Sequence, residues 1–184
     1  MIIRILRYTL CISSLLLTAC QNPAIPEAQR DFEKRLEAIG ELYEKGDSSA
    51  QRQANEAAAV EQRNALFRQM AASPAFTGWI CTVKDVYPAP LVIQPELVID
   101  LDCGFFSLRN AGDLVERSGP PPQAIMQDGP LYDVVQSLGK GDRISVSGEF
   151  QIVHDKIREC SITTGGGMSE PEFGVIFSSI QRQK

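Results

Sequence analysis

The chain has 184 residues, of which 43% are apolar, 22% charged and 7% aromatic, the profile of one ordinary globular domain rather than of a disordered chain or a multi-span membrane protein. Lys and Arg number 18 against 23 Asp and Glu, a net charge of −5, which argues against a nucleic-acid binder of the basic-patch kind. One His, and no His/Cys cluster at metal-ligand spacing, argue equally against a zinc hydrolase.

At the N-terminus Arg4 and Arg7 precede an apolar stretch from Tyr8 to Leu17. A spanning helix needs about 20 apolar residues, so this stretch is too short to cross a bilayer and has the length of a signal-peptide core. It ends in Leu17-Thr18-Ala19-Cys20, which resembles the lipobox of bacterial lipoproteins. The resemblance implies that residues 1–19 are a signal peptide, that the Cys20 thiol receives a diacylglyceryl group and that the freed amine is acylated. It further implies that Gln21, standing where Asp would retain the protein, sends it to the outer membrane. The expected location is therefore lipid-anchored at the outer membrane and facing the periplasm, with Cys20 as the lipidated residue. Loss of Arg4 and Arg7 with the signal takes the net charge from −5 to −7, further still from nucleic acid.

Residues 20–26 read as a lipidated tether, and the composition then changes. Residues 27–72 contain no Pro and are rich in Ala, Glu, Gln, Arg and Lys, the strong helix formers. Phe32, Leu36, Ile39 and Tyr43 recur at spacings of four, three and four, one apolar stripe. Lys45-Gly46-Asp47-Ser48 reads as a C-cap glycine followed by an N-cap, so the stem is expected to be a helical hairpin broken near 45–48. Ala58, Leu66, Phe67 and Met70 are the expected contact face of its second half, packing on the first helix or on the following domain. A coiled-coil-like face for self-association or a partner is the alternative. Ala71-Ala72-Ser73-Pro74 closes the stem.

From residue 76 to 184 the texture is β. Gly78 to Val86 alternates, and Tyr87-Pro88-Ala89-Pro90 turns the chain. Leu97, Ile99, Leu101 and Cys103 share one strand face, with Val98, Asp100 and Asp102 on the other. Phe105 to Arg109 is a third short run, and Asn110 to Gly129 reads as a long surface loop. Leu131, Val134, Val135 and Leu138 make a short helix stopped by Gly139 and Gly141. Ile144, Val146, Phe150 and Ile152 alternate again, with Gly148 as an expected bulge. Ile157 to Thr163 and Glu172 to Ile180 supply two further strands, separated by a flexible loop at Gly165–Gly167.

Three strands, a short helix, then closing strands is the order of an OB-like barrel, so the expected fold is an all-β OB-like barrel preceded by an N-terminal helical hairpin or stem. Gly78-Trp79 with Lys84-Asp85-Val86, the run from Leu138 to Phe150, and Gly167-Met168-Ser169-Glu170-Pro171-Glu172-Phe173 resemble an uncharacterised family of bacterial envelope proteins with an OB-like domain. The resemblance spans roughly residues 27–184. It implies the fold and brings no catalytic residue, metal or cofactor with it.

Individual residues offer little chemistry. Asp100 and Asp102 lie two apart on one strand face with no further carboxylate at catalytic or EF-hand spacing, and read as solvated positions. His154, in His154-Asp155-Lys156, reads as a surface hairpin turn. Gly165–Gly167 has no Lys at P-loop spacing to make it an anion nest. Trp79 alternates with Cys81 and Val83 and is expected in the core rather than as a stacking platform.

Three cysteines, Cys81, Cys103 and Cys160, remain once Cys11 has left with the signal and Cys20 is acylated, so at most one bridge can form within the chain. The chain-entropy model gives roughly 4 kcal/mol for the longer loop and roughly 3 kcal/mol for the shorter, which does not decide the pairing. Cys103–Cys160 is preferred because both fall on strands expected to be inner ones, and Cys81–Cys103 across a hairpin is the alternative. The functional expectation is a non-enzymatic interaction or accessory module with an envelope protein partner and no nucleic acid. A small-ligand or oligosaccharide binder that uses the open face of the barrel is the second reading.

Overall fold

The computed structural model describes residues 24–89, 96–110, 125–161 and 163–183. The expected signal peptide, Cys20 and most of the loop expected over 110–129 lie outside the described residues.

Two helices come first. α1 (Glu27–Glu44) carries an acidic residue in its first turn, where negative charge suits the helix dipole, and buries Gln29, Phe32, Leu36, Ile39 and Gly40. The stripe expected from spacing is buried at its first three positions and half-buried at Tyr43. α2 (Ser49–Ala72) starts at the expected cap, where the Ser48 hydroxyl accepts from the Gln51 N–H at 3.2 Å. Its buried residues are Ala59, Leu66 and Phe67. Ala59 replaces the expected Ala58 because Ala59, Leu66 and Phe67 are seven and eight apart and so share one side of a 3.6-residue helix.

The rest is a closed five-strand β-barrel. Strands β1 (Ala75–Pro88), β2 (Glu96–Asp102), β3 (Ser107–Arg109), β5 (Arg143–Phe150) and β8 (Glu172–Arg182) run around it in the order β1-β5-β8-β3-β2 and back to β1. Every junction is antiparallel except β3 with β8. β4 (Ile125–Met126) pairs with the start of β2, on the edge that β3 takes further along, and β6 (Ile152–Val153) and β7 (Lys156–Ile157) form a small separate ribbon. His154 and Asp155 turn that ribbon with φ of 48° and 64°, as a two-residue hairpin requires. The β5–β8 register shifts between Ser147 and Gly148, which places the bulge where glycine suggested it.

Several elements differ from expectation: β4 is a strand inside the segment expected as a loop over 110–129, and Ile152 lies in the β6–β7 ribbon rather than continuing β5. Gly165–Gly167 is helical, inside α4 (Thr164–Ser169), because the Thr163 hydroxyl caps the Gly166 N–H at 3.0 Å and Met168 is buried. The strand expected over 157–163 is reduced to β7 plus a single bridge from Glu159 to Phe173.

Both ends of the barrel are filled. At the end where β8 begins, Phe32 of α1 lies 5.2–5.6 Å, centroid to centroid, from Trp79, Phe106, Phe150 and Phe173. At the end where β8 finishes, α3 (Tyr132–Gln136) buries Val135, and Arg182 donates to the Ser137 carbonyl at 2.7 Å. The helices and the barrel therefore share one core, in which Leu36, Leu66 and Phe67 stand beside Trp79, Ile144 and Val175. Gly40 permits the approach of α1 to α4, since a Cβ there would stand 2.6 Å from the Met168 carbonyl oxygen.

Candidate functional site

With the interior occupied by side chains, chemistry has to happen on the outside. The outer faces of β2, β3 and β8 carry an ion cluster centred on Arg109, which pairs with Asp100 through two nitrogens and with Glu172 at 2.9 Å. Burial pulls the guanidinium pKa down, but the hydrogen bond and charge of Asp100, with the charge of Glu172, outweigh burial and raise it. Asp100 is therefore an internal ion-pair partner rather than the solvated position expected, because register puts it directly opposite Arg109. Asp102 is exposed, and its carboxylate accepts from the Gly104 N–H at 3.0 Å.

Beside this cluster a groove runs along the outer flank of α1. Its widest part, about 450 Å³, lies between Glu37, Glu41 and Glu44 on α1 and Phe105, Met168 and Ser169 opposite. Phe105 and Ser169 are shared with a second cleft of about 290 Å³ that reaches Lys84, Asp102 and Glu170. Asp102 and Gly104 are shared in turn with a third, of about 330 Å³, that reaches Glu33, Arg143 and the two bridged cysteines. The Glu33 carboxylate accepts from the Phe105 N–H at 2.9 Å and so ties the Phe105 backbone to α1. Among the described residues, six carboxylates line the groove against the two cations Lys84 and Arg143, which makes their field there negative.

The structure bridges Cys81 to Cys103, with Cα atoms 4.2 Å apart, and this corrects the preferred Cys103–Cys160 pairing. The reason is register: Thr82 pairs with Asp102, so the next pair outward sets Cys81 opposite Cys103. Cys160 stands outside the bridge, beyond β7, where its N–H donates to the Glu172 carbonyl at 2.7 Å. Trp79 is in the core at 2% exposure, as expected, and His154 is exposed at the tip of the β6–β7 ribbon. Among the described residues no group of three His, Cys, Asp or Glu side chains is placed to hold a metal ion. Among them also, no helix is long and apolar enough to cross a membrane.

Three features escaped the sequence. Gln29 is wholly buried, and its amide donates to the Ile80 and Cys103 carbonyls at 2.8 and 3.4 Å. Its place three residues before Phe32, in line with the apolar stripe, was the available signal. Arg63 and Glu159, 3.2 Å apart, are 96 residues apart in sequence and carry no local pattern. The groove itself needs α1 to lie against the barrel, which no spacing reveals. Compared with protein-family models, curated proteins and solved structures, the chain finds no match.

Proposed function

We propose that this chain is a lipid-anchored outer-membrane protein whose OB-like barrel, together with a hairpin formed by α1 and α2, acts as a non-enzymatic interaction module in the periplasm. The observation that carries the reading is a barrel plugged at both ends beside an open groove on its flank, since a filled interior leaves the surface as the place of recognition. The strand order β1-β2-β3-β8-β5, with its parallel β3–β8 junction and a helix before β5, supports the OB-like assignment. Leu17-Thr18-Ala19-Cys20 supports the anchor, and the tether to Glu27 is short enough to hold the groove close to the membrane. The negative field of the groove suits an envelope protein that presents Lys or Arg.

Site-specific photo-crosslinking from Glu41 or Phe105 in intact cells tests the reading. A discrete envelope-protein adduct, absent when the crosslinker stands at a remote exposed site such as His154, is expected. Recovery of no protein adduct would sink it. A second reading, a small-ligand or oligosaccharide binder, is favoured by the size of the widest cleft, about 450 Å³, and by the Phe105 ring beside it. Saturable glycan binding lost in Phe105→Ala would establish that reading instead. The anchor is tested separately: fatty-acid label is expected on the wild type and absent from Cys20→Ser, and label retained by Cys20→Ser would refute it.

A further inference from the structure

The outer edge of β1 is taken by two partners in turn and then by none. β2 pairs with it from Pro88 back to Thr82, and the Gln29 amide pairs with the backbone of Ile80. Nearer its start, β1 pairs only with β5, on the other edge. There the Phe150 N–H donates to the Pro74 carbonyl at 3.0 Å and Phe76 stands opposite Gly148, so Pro74 and Phe76 turn their backbone groups toward β5. Ala75 and Thr77 turn theirs away, since alternate residues of an antiparallel strand bond to opposite sides. The register shift between Phe76 and Trp79 keeps this arrangement. Past it the Gly78 N–H returns to the β5 side and donates to the Ser147 hydroxyl at 3.0 Å, which leaves the Thr77 carbonyl pointing outward. Ala75 and Thr77 are both exposed, and among the described residues no hydrogen bond reaches their two N–H and two C=O groups.

This open edge faces a cleft. Ala28, Asp31 and Arg35, three and four apart on one side of α1, stand across from Ala75 and Thr77 and enclose about 290 Å³, with Phe32 and Met70 in the wall. Glu33, Glu37 and Glu41, which line the groove, project from the opposite side of α1, so the two sites are separate. Ala28 is small enough to leave room for a passing main chain. Arg35 donates to Gln69 of α2 at 2.9 Å instead of closing on Asp31 one turn away. Asp31 stays exposed, without an ion-pair partner among the described residues.

We propose that this cleft docks an extended, basic segment of a partner protein, which adds to the free edge of β1 as a short strand in line with β2. The two outward residues stand about 7 Å apart, the repeat at which an extended main chain presents its own donors and acceptors. A side chain of the segment that turns inward meets Phe32 and Met70 and is apolar; a neighbouring Lys or Arg meets Asp31, the carboxylate that α1 leaves unpaired. The recess selects a single chain over a second copy of this protein. In a two-fold pairing of β1 with β1, each edge carries its own α1 alongside, in the path of the other strand. The site does not depend on the groove having a partner.

Selection of a random linear heptapeptide library on the full chain, purified in detergent, tests this. Enriched peptides are expected to alternate apolar residues, to carry Lys or Arg, and to lose binding when alternate backbone amides are N-methylated while the amides between tolerate it. Thr77→Pro removes an outward N–H at an edge position, where Pro is accommodated, and is expected to weaken these peptides about tenfold. Asp31→Lys, on an exposed helix position, is expected to weaken them about threefold. The near-ultraviolet dichroism of Trp79 reports that each variant keeps its fold. No enrichment over an unrelated surface, binding unchanged by Thr77→Pro and Asp31→Lys, or binding lost instead in Glu41→Lys would each overturn the proposal. So would a dimer in sedimentation that Thr77→Pro dissociates, which would assign the edge to a second copy.

Discussion

The Gln29 side chain pairs with the Ile80 backbone as a neighbouring strand would, its Nε2 donating to the Ile80 carbonyl at 2.8 Å and its Oε1 accepting from the Ile80 N–H at 2.7 Å. The β1–β2 ladder ends at Thr82 and Asp102, the bridged Cys81 and Cys103 follow, and Gln29 takes the next hydrogen-bonding position along β1, at Ile80. One amide thus satisfies two buried backbone groups and fixes α1 to the barrel. Gln29→Leu keeps the bulk but leaves both groups unpaired, and is expected to cost about 2–4 kcal/mol. Urea unfolding measures it. A loss below about 0.5 kcal/mol with an unchanged m-value would mean that water replaces the amide without penalty.

Phe32 sits one turn further along the same helix, 3% exposed and in ring contact with four aromatic residues of the barrel. Phe32→Ala is expected to cost about 3–5 kcal/mol, at the upper end for a core truncation because the surrounding rings belong to four separate segments and cannot collapse together. Trp79 is the chain's only Trp and lies 5.6 Å from Phe32, so its near-ultraviolet dichroism should weaken as well. An unchanged Trp signal in Phe32→Ala would show that the barrel packs independently of α1.

The Cys81–Cys103 bridge joins residues 22 apart, and the chain-entropy model gives about 3 kcal/mol for a loop of that size. Non-reducing peptide mapping is expected to recover a Cys81–Cys103 peptide, and Cys103→Ala to lose about that stability. A Cys103–Cys160 peptide as the main product would reverse the assignment.

What the sequence made legible was local. The Phe32–Leu36–Ile39 stripe, the Ser48 cap, the alternation of Leu97, Ile99 and Leu101, and the bulge at Gly148 are each set by neighbours a few residues away, and periodicity reads them directly. What it missed depends on distant pairing. The choice between two bridges turned on the β1–β2 register. The ionic role of Asp100 turned on facing Arg109 across β2 and β3, although the two are only nine residues apart. The stem was expected from composition, but only packing reveals that its stripe supplies one end plug of the barrel. The Gly165–Gly167 run misled because glycine propensity argues against helix, whereas the Thr163 cap and the buried Met168 override a cost of about 1 kcal/mol per glycine.

The Arg109 cluster gives a last test, because its cost and its net worth differ. Arg109→Met removes the cation and leaves Asp100 and Glu172 half-buried, with side chains 17% and 26% exposed and no guanidinium between them. Stranding buried carboxylates typically costs about 3–5 kcal/mol, and the partial exposure here places the expectation at about 2–3 kcal/mol. Replacing Arg109 and Asp100 together by apolar residues removes the attraction and one of the desolvated charges at once, so the double variant is expected to be less destabilised than the sum of the single ones, with a coupling of about 1–3 kcal/mol. A double-mutant cycle by thermal unfolding reads that coupling directly. Simple additivity would show that solvent already screens the pair and that β2 and β3 are held by the ladder and the core residues Leu101 and Leu108, rather than by the charges on their outer face.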